Sequence, residues 1–248
     1  MQKKKTAVLL TSEEHNAKRV YDSNMLSRLR ECYDLYETVL CRKNIKNHMD
    51  ACRKAEYIFS TWGMEHFSEM EIKAYFPNVK CLFYAAGSVQ HFAAEFLNCD
   101  IRVFSAWKAN AVPVAEYTYA QILLALKGFY RASRKSHMQY YQMSKYADKC
   151  GGIYNAKIGI IGVGSIGGLV AEKLKANDVA VYYYDPYLPS DIAEKLNIQS
   201  ATLEEIFSSC DVITNHLANK EELTGILSGA LFDRMKPYAV FINTGRGR

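Results

Sequence analysis

The stretch KIGIIGVGSIGGLVAEKL, residues 157–174, constrains this chain more than any other. An apolar run leads directly into Gly162, Gly164 and Gly167, and an amphipathic pattern (Val170, Ala171, Leu174) follows without a gap. That order reads as a buried strand, a tight turn and a helix packed back against the strand. The first glycine permits the turn, the second lets a ligand reach the backbone, and the third lets helix and strand approach closely. The next apolar run ends in an acid, Asp185, 18 residues beyond Gly167. This whole context is a dinucleotide fingerprint: a pyrophosphate would rest at the helix start, around Ser165 and Ile166, where free N–H groups favour an anion. Asp185, followed by Pro186, suits ribose hydroxyls and would repel a 2′-phosphate. No arginine follows in YDPYLP, so NAD is favoured over NADP.

Around this loop, apolar runs alternate with amphipathic segments. Strands are expected at 6–10, 33–40, 57–61, 79–86 and 101–106, then at 157–163, 179–185, weakly at 198–201, and at 211–217 and 239–245. Continuous apolar strands separated by helices indicate parallel sheets covered on both faces. A long helix, apolar on most of its circumference, is expected over residues 112–133 between the two blocks. The expected fold is therefore α/β, two doubly wound domains with a cleft between them and a boundary near 107–112.

Composition excludes several alternatives. Of 248 residues, 49% are hydrophobic and 23% charged, enough to build substantial cores. The net charge of +5 is spread among interleaved acids, and no basic stripe is interleaved with aromatics, so no nucleic-acid partner is expected. No apolar span suits a membrane, and Ala7 to Leu10 is too short for a signal peptide. Seven cysteines form no CxxC pair and no metal-ligand spacing, which suggests reduced thiols in a cytoplasmic protein without structural metal.

Together with FYAAGSV (83–89), NAVPVAEYT (110–118), YYDP (183–186) and MKPYAVFINTGRG (235–247), the glycine loop resembles the D-isomer-specific 2-hydroxyacid dehydrogenase family. The resemblance implies a flavodoxin-like substrate domain at 1–109, followed by an incomplete Rossmann NAD-binding domain at 110–248. It implies that the Ala86-Gly87-Ser88 turn holds a substrate carboxylate, as a glycine turn opening a helix could. Asn110 would lie near the nicotinamide. His216, Leu217, Ala218 and Glu222 in NHLANKEE, and Asn243, Thr244 and Gly245, would belong to the cofactor site; the family usually has proline at the Ala218 position. Arg246, between glycines after a buried strand, would be the catalytic arginine, binding the carboxylate bidentately and polarising the C2 oxygen. The other histidines (15, 48, 66, 91, 137) lie in no motif that supplies a paired acid.

The implied reaction is hydride transfer between NAD(H) and a small 2-hydroxy or 2-keto acid, with a homodimer expected for the full-length protein. The family's glutamate–histidine acid–base pair has no counterpart before Arg248. The expectation is an amino-terminal fragment, nearly inactive by itself, since such a pair contributes roughly 10²–10⁴-fold. Two other readings share the motifs: an NAD-sensing, corepressor-like interaction module without turnover, and another NAD enzyme such as an alanine dehydrogenase. Domain order and the GRG turn argue against the last. The substrate itself is not legible; STWGM (60–64) and YAAGSV would shape its pocket.

Overall fold

A computed structural model describes residues 4–134 and 151–245. The chain divides into two compact units, Met1–Asn110 and Ala111–Arg248. In the first unit, β1 (Lys5–Leu9), β2 (Tyr33–Leu35), β3 (Tyr57–Ser60), β4 (Cys81–Tyr84) and β5 (Arg102–Ser105) form one parallel sheet in the order β2-β1-β3-β4-β5. That is the flavodoxin-like winding. Successive side chains of a strand point to opposite faces, and the sequence supplies apolar residues for both. Val8 and Leu10 enter one core with Ile58, Leu82, Phe67 and Phe96, whereas Ala7 and Leu9 enter another with Tyr21, Leu35 and Phe59. On the second face, aromatic rings run across the strands: Tyr33 to Phe59, Phe59 to Phe83 and Phe83 to Phe104 at centroid distances of 5.2, 5.3 and 5.2 Å.

The helices between these strands are α1 (Glu14–Lys18), α2 (Ser23–Cys32), α3 (Met49–Lys54), α4 (Glu69–Tyr75) and α5 (Ala93–Asn98). Helix α4 starts on a full capping box. The Ser68 hydroxyl accepts from the Glu71 N–H, and the Glu71 carboxylate accepts from the Ser68 N–H. Glu71 also takes both ends of the Arg42 guanidinium, at 2.8 and 3.0 Å.

Helix α6 (Trp107–Leu126) begins before the division between the units and continues past it, and α7 (Phe129–Ser133) follows. The second unit adds β6 (Ala156–Ile161), α8 (Ser165–Leu174), β7 (Val179–Tyr184), α9 (Ser190–Leu196), β8 (Gln199–Ser200), α10 (Leu203–Ser209), β9 (Val212–Asn215), α11 (Gly229–Phe232) and β10 (Val240–Asn243). Its parallel sheet has the order β10-β9-β6-β7-β8, winding outward in both directions from β6 as Rossmann sheets do. Helix α10 repeats the capping box, with Thr202 and Glu205.

Two expected extents differ from the structure by more than two residues at an end. The helix expected at 112–133 begins at Trp107 and breaks at Gly128, whose φ of 71° lies in the left-handed region. The strand expected at 33–40 pairs over only three residues, and a lone bridge from Leu10 to Leu40 is all that resumes beyond them. Among the described residues, no helix is long and apolar enough to cross a membrane.

Arg42 and the Ser68 backbone hold the Glu71 carboxyl down at about 2, against an ordinary value of 4.5. A lowered carboxyl stabilises the fold above its unfolded value, and that contribution fades as pH falls from 4.5 towards 2. Thermal melts of Glu71→Gln should therefore lose stability less steeply than the parent over this acid range. Parallel slopes would count against the assignment.

Candidate functional site

The carboxyl edge of the second sheet gathers the loops after β6, β7, β9 and β10. After β6 the chain turns at Gly162, whose φ is 83°. The Gly162 N–H donates to the Tyr184 carbonyl at 2.9 Å, and the Ile161 carbonyl accepts from the His216 N–H at 2.7 Å. A Cβ on Gly162 would stand 3.0 Å from the backbone of His216. A Cβ on Gly167 would be driven into the Gly162 carbonyl oxygen. These two glycines are demanded by the protein's own backbone.

Gly164 differs. A Cβ there would meet nothing within 4 Å, so packing does not require the glycine; it leaves space in front of the helix. Helix α8 begins beside that space with no side-chain cap and no acid in its first turn. The open N–H groups around Ser165 and Ile166 suit a pyrophosphate, which binds such a helix start through amide donors and the dipole.

Asp185 ends β7 beside this loop. Its Oδ2 accepts from the Val163 N–H at 2.9 Å, and its Oδ1 accepts from the Tyr187 N–H at 3.0 Å. A carboxylate has about four lone-pair sites, so two remain for hydroxyl donors. Pro186 is exposed in the turn that follows. The residues present thus fit a dinucleotide at both its phosphates and its ribose.

The loops after β9 and β10 are tied to each other. Asn215 Nδ2 donates to Asn243 Oδ1 at 3.4 Å, and Asn215 Oδ1 accepts from the Leu217 N–H at 3.1 Å. Asn243 Oδ1 also accepts from the Gly245 N–H at 3.0 Å, bending the chain after β10. The His216 ring lies between two hydroxyls, with Thr214 Oγ1 3.0 Å from Nε2 and Thr244 Oγ1 3.3 Å from Nδ1. Burial pushes this imidazole down to about 4 from 6.5, leaving it neutral at ordinary pH. Ala218 and Glu222 are exposed farther along, where Lys220 pairs with Glu222 at 3.5 Å. Arg246 lies outside the described residues.

In the first unit, the Ala86-Gly87-Ser88 turn follows β4. The Ser105 hydroxyl approaches the Ala86 and Gly87 carbonyl oxygens at 3.0 and 2.5 Å. The Asn110 side chain stands 3.0 Å from where a Gly87 Cβ would be. This turn does not open a helix, as had been expected, because α5 starts only at Ala93. The loop after β3 is pinned at Gly63 (φ 82°), whose carbonyl accepts from the Ser12 N–H at 2.7 Å.

Two histidines have carboxylate partners that no sequence motif announced: His15 with Glu13 at 3.0 Å, and His66 with Glu95 at 2.8 Å. His137 falls outside the described residues. Sequence reading also passed over Thr118, Thr214 and Asn215. All three are buried polar residues in apolar contexts, and that mismatch was the available signal.

Residues 119–248 match the family model for the NAD binding domain of D-isomer specific 2-hydroxyacid dehydrogenases. D-3-phosphoglycerate dehydrogenase of Bacillus subtilis is 29% identical over 145 residues, which cover 58% of this chain and 27% of that protein. The chain thus spans little more than a quarter of this curated relative. Among solved structures, the apo form of D-lactate dehydrogenase from Escherichia coli superposes with a TM-score of 0.69 at 22% identity. The match covers 98% of this chain and 74% of that one. D-2-hydroxyisocaproate dehydrogenase gives 0.71 at 18% identity, covering 97% and 71%.

Gly167→Ala should destabilise the second unit by about 1–3 kcal/mol, the usual cost of overpacking, read as a lowered Tm. An unchanged Tm would mean that α8 sits farther from β6 than described.

Proposed function

The chain belongs to the D-isomer specific 2-hydroxyacid dehydrogenase family, and on that premise we propose that it serves hydride transfer between NAD(H) and a small 2-hydroxy or 2-keto acid. The observation that carries the reading is the open, uncapped start of α8 in front of Gly164, with Asp185 beside it. In this proposal, the N–H groups of Ser165 and Ile166 bind the pyrophosphate and the free lone pairs of Asp185 accept from the ribose hydroxyls. A 2′-phosphate in place of a hydroxyl would meet that carboxylate, so NAD is preferred to NADP. Leu217 and Ala218 border the cofactor on the β9 side.

When bound, the nicotinamide supplies the hydride acceptor or donor. The residues of this chain orient and polarise. The N–H groups of the Ala86–Ser88 turn hold the substrate carboxylate, and Arg246 grips it bidentately while drawing charge onto the C2 oxygen. Residues 1–109 are assigned to the substrate and 110–248 to the cofactor. Val112 and Tyr117 expose 41% and 58% of their surface on α6, which supports a homodimer built on that helix. The buried thiols of Cys52, Cys81 and Cys210 support a cytoplasmic setting.

Gly164→Ala tests the cofactor assignment separately from folding, and Asp185→Ala, which also removes the acceptor of the Val163 and Tyr187 N–H groups, is read beside its own Tm. Gly164→Ala should leave Tm unchanged and abolish detectable NAD binding by titration calorimetry. Asp185→Ala should weaken NAD on the order of 10–100-fold, the worth of hydrogen bonds to a charged group, and narrow the preference over NADP. Wild-type affinity in both variants would sink the proposal. NAD-dependent binding of a protein partner would instead favour an NAD-sensing interaction module.

A further inference from the structure

We infer that Ser105 is a positioning residue: its hydroxyl holds the carbonyls of Ala86 and Gly87, and so turns the N–H groups of Gly87 and Ser88 outward as a two-donor site for a carboxylate. Its consequence for the substrate rests on the carboxylate reading of the turn given above; the direction of the N–H groups does not.

Ser105 is the last residue of β5 and pairs in register with Tyr84, the last residue of β4. The turn therefore leaves the sheet beside it. Val103, two residues earlier and on the same face of the strand, packs against the core of Val8 and Ile58. Ser105 puts a hydroxyl where the alternation calls for another apolar side chain. That hydroxyl donates towards the Ala86 carbonyl oxygen at 3.0 Å and the Gly87 carbonyl oxygen at 2.5 Å, and both oxygens can only accept. One proton is shared between them, which draws two successive carbonyls to a single point.

Peptide geometry supplies the consequence. Both peptide links are trans, and in a trans peptide the N–H of one residue points opposite to the carbonyl of the residue before it. With the Ala86 and Gly87 carbonyls facing Ser105, the N–H groups of Gly87 and Ser88 face away from it together. Two successive N–H groups aimed alike form a concavity that suits an anion. Among the described residues, neither has an acceptor. Gly87 is half-buried and Ser88 exposed, so a ligand can reach both. Other anchors stop short of the turn. The Ala85 N–H donates to the Ser60 carbonyl at 2.8 Å, and the next backbone bonds start at the Val89 carbonyl, which accepts from Phe92 and Ala93 at 3.2 and 3.0 Å. Between them, among the described residues, Ser105 is the one side chain that bonds to the turn. Gly87 keeps the backbone bare, since a Cβ there would stand 3.0 Å from the Asn110 amide.

An isosteric pair of substitutions isolates the hydroxyl. Threonine and valine share one shape and suit a strand, and only threonine keeps the donor. The probe is oxamate, an unreactive isostere of a 2-keto acid, with its uncharged methyl ester as control. In ¹H–¹⁵N spectra of the 248-residue chain, oxamate should move the Gly87 and Ser88 amide signals saturably, and the ester should not. The Kd for oxamate should stay within about threefold of the parent in Ser105→Thr and rise about tenfold or more in Ser105→Val, the usual worth of one hydrogen bond. The ¹³C signals of the Ala86 and Gly87 carbonyls should move in the valine variant and hold in the threonine variant. Ser105→Ala serves the same comparison where valine folds poorly. Equal oxamate affinity in the variants with and without the hydroxyl, or carbonyl signals that shift alike in both, would overturn the inference. If oxamate leaves the parent's Gly87 and Ser88 amides unmoved, the carboxylate reading of the turn fails, and the carbonyl signals still decide whether Ser105 sets the direction of its N–H groups.

Discussion

The backbone-to-backbone approach of α8 to β6 is the contact on which the second unit depends. Gly167 lies so near the Gly162 carbonyl that no side chain fits between them, and Gly162 itself lies against the backbone leaving β9. Side chains can relieve a tight contact by changing rotamer; peptide groups cannot. The contact therefore fixes three things together. It sets the helix start at the carboxyl edge, brings the Val163 N–H to Asp185, and gives the β9 exit loop a hard surface to rest on. Position in the sheet makes this possible, since β6 is the central strand and pairs with both β7 and β9.

What was legible in the sequence was local or periodic. The glycine loop is contiguous, so its strand, turn and helix could be read with their roles, and Asp185 could be placed by the length of one βα unit. The winding of both sheets followed from apolar runs separated by helices. Long-range pairings left no such trace. Arg42 with Glu71 and His66 with Glu95 each lie 29 residues apart, and nothing in either segment names the other. Helix α6 was expected too late because residues 107–111, WKANA, carry no conventional cap. The Ala86–Ser88 turn reads as a helix start because a glycine after an apolar strand often is one. Here four residues, 89–92, intervene before Ala93.

The end of β9 shows a different kind of illegibility. VITN reads as an ordinary buried strand, yet Thr214 and Asn215 are polar and 0% and 8% exposed. Burying such groups without partners costs about 1–3 kcal/mol each, whereas apolar residues would fit a parallel strand at no such cost. Thr214 is matched by the His216 ring just past the strand and Asn215 by Asn243 on β10, while Thr118 on α6 reaches Thr244, 126 residues away in sequence. Only the folded chain shows that the polar residues are matched.

A matched polar cluster contributes little net stability compared with an apolar one, but it admits few arrangements. Here the His216 ring lies between the Thr214 and Thr244 hydroxyls, and Thr118 reaches both Val114 and Thr244, so shifting one strand end would leave at least one buried hydroxyl or ring nitrogen unsatisfied. Apolar side chains at the same positions would tolerate a slip of a few tenths of an ångström, since dispersion contacts change gradually with distance. The sequence thus places polar residues where the location of the β10 exit matters, and keeps apolar ones, such as Val212 and Ile213, along the part of β9 where only burial matters.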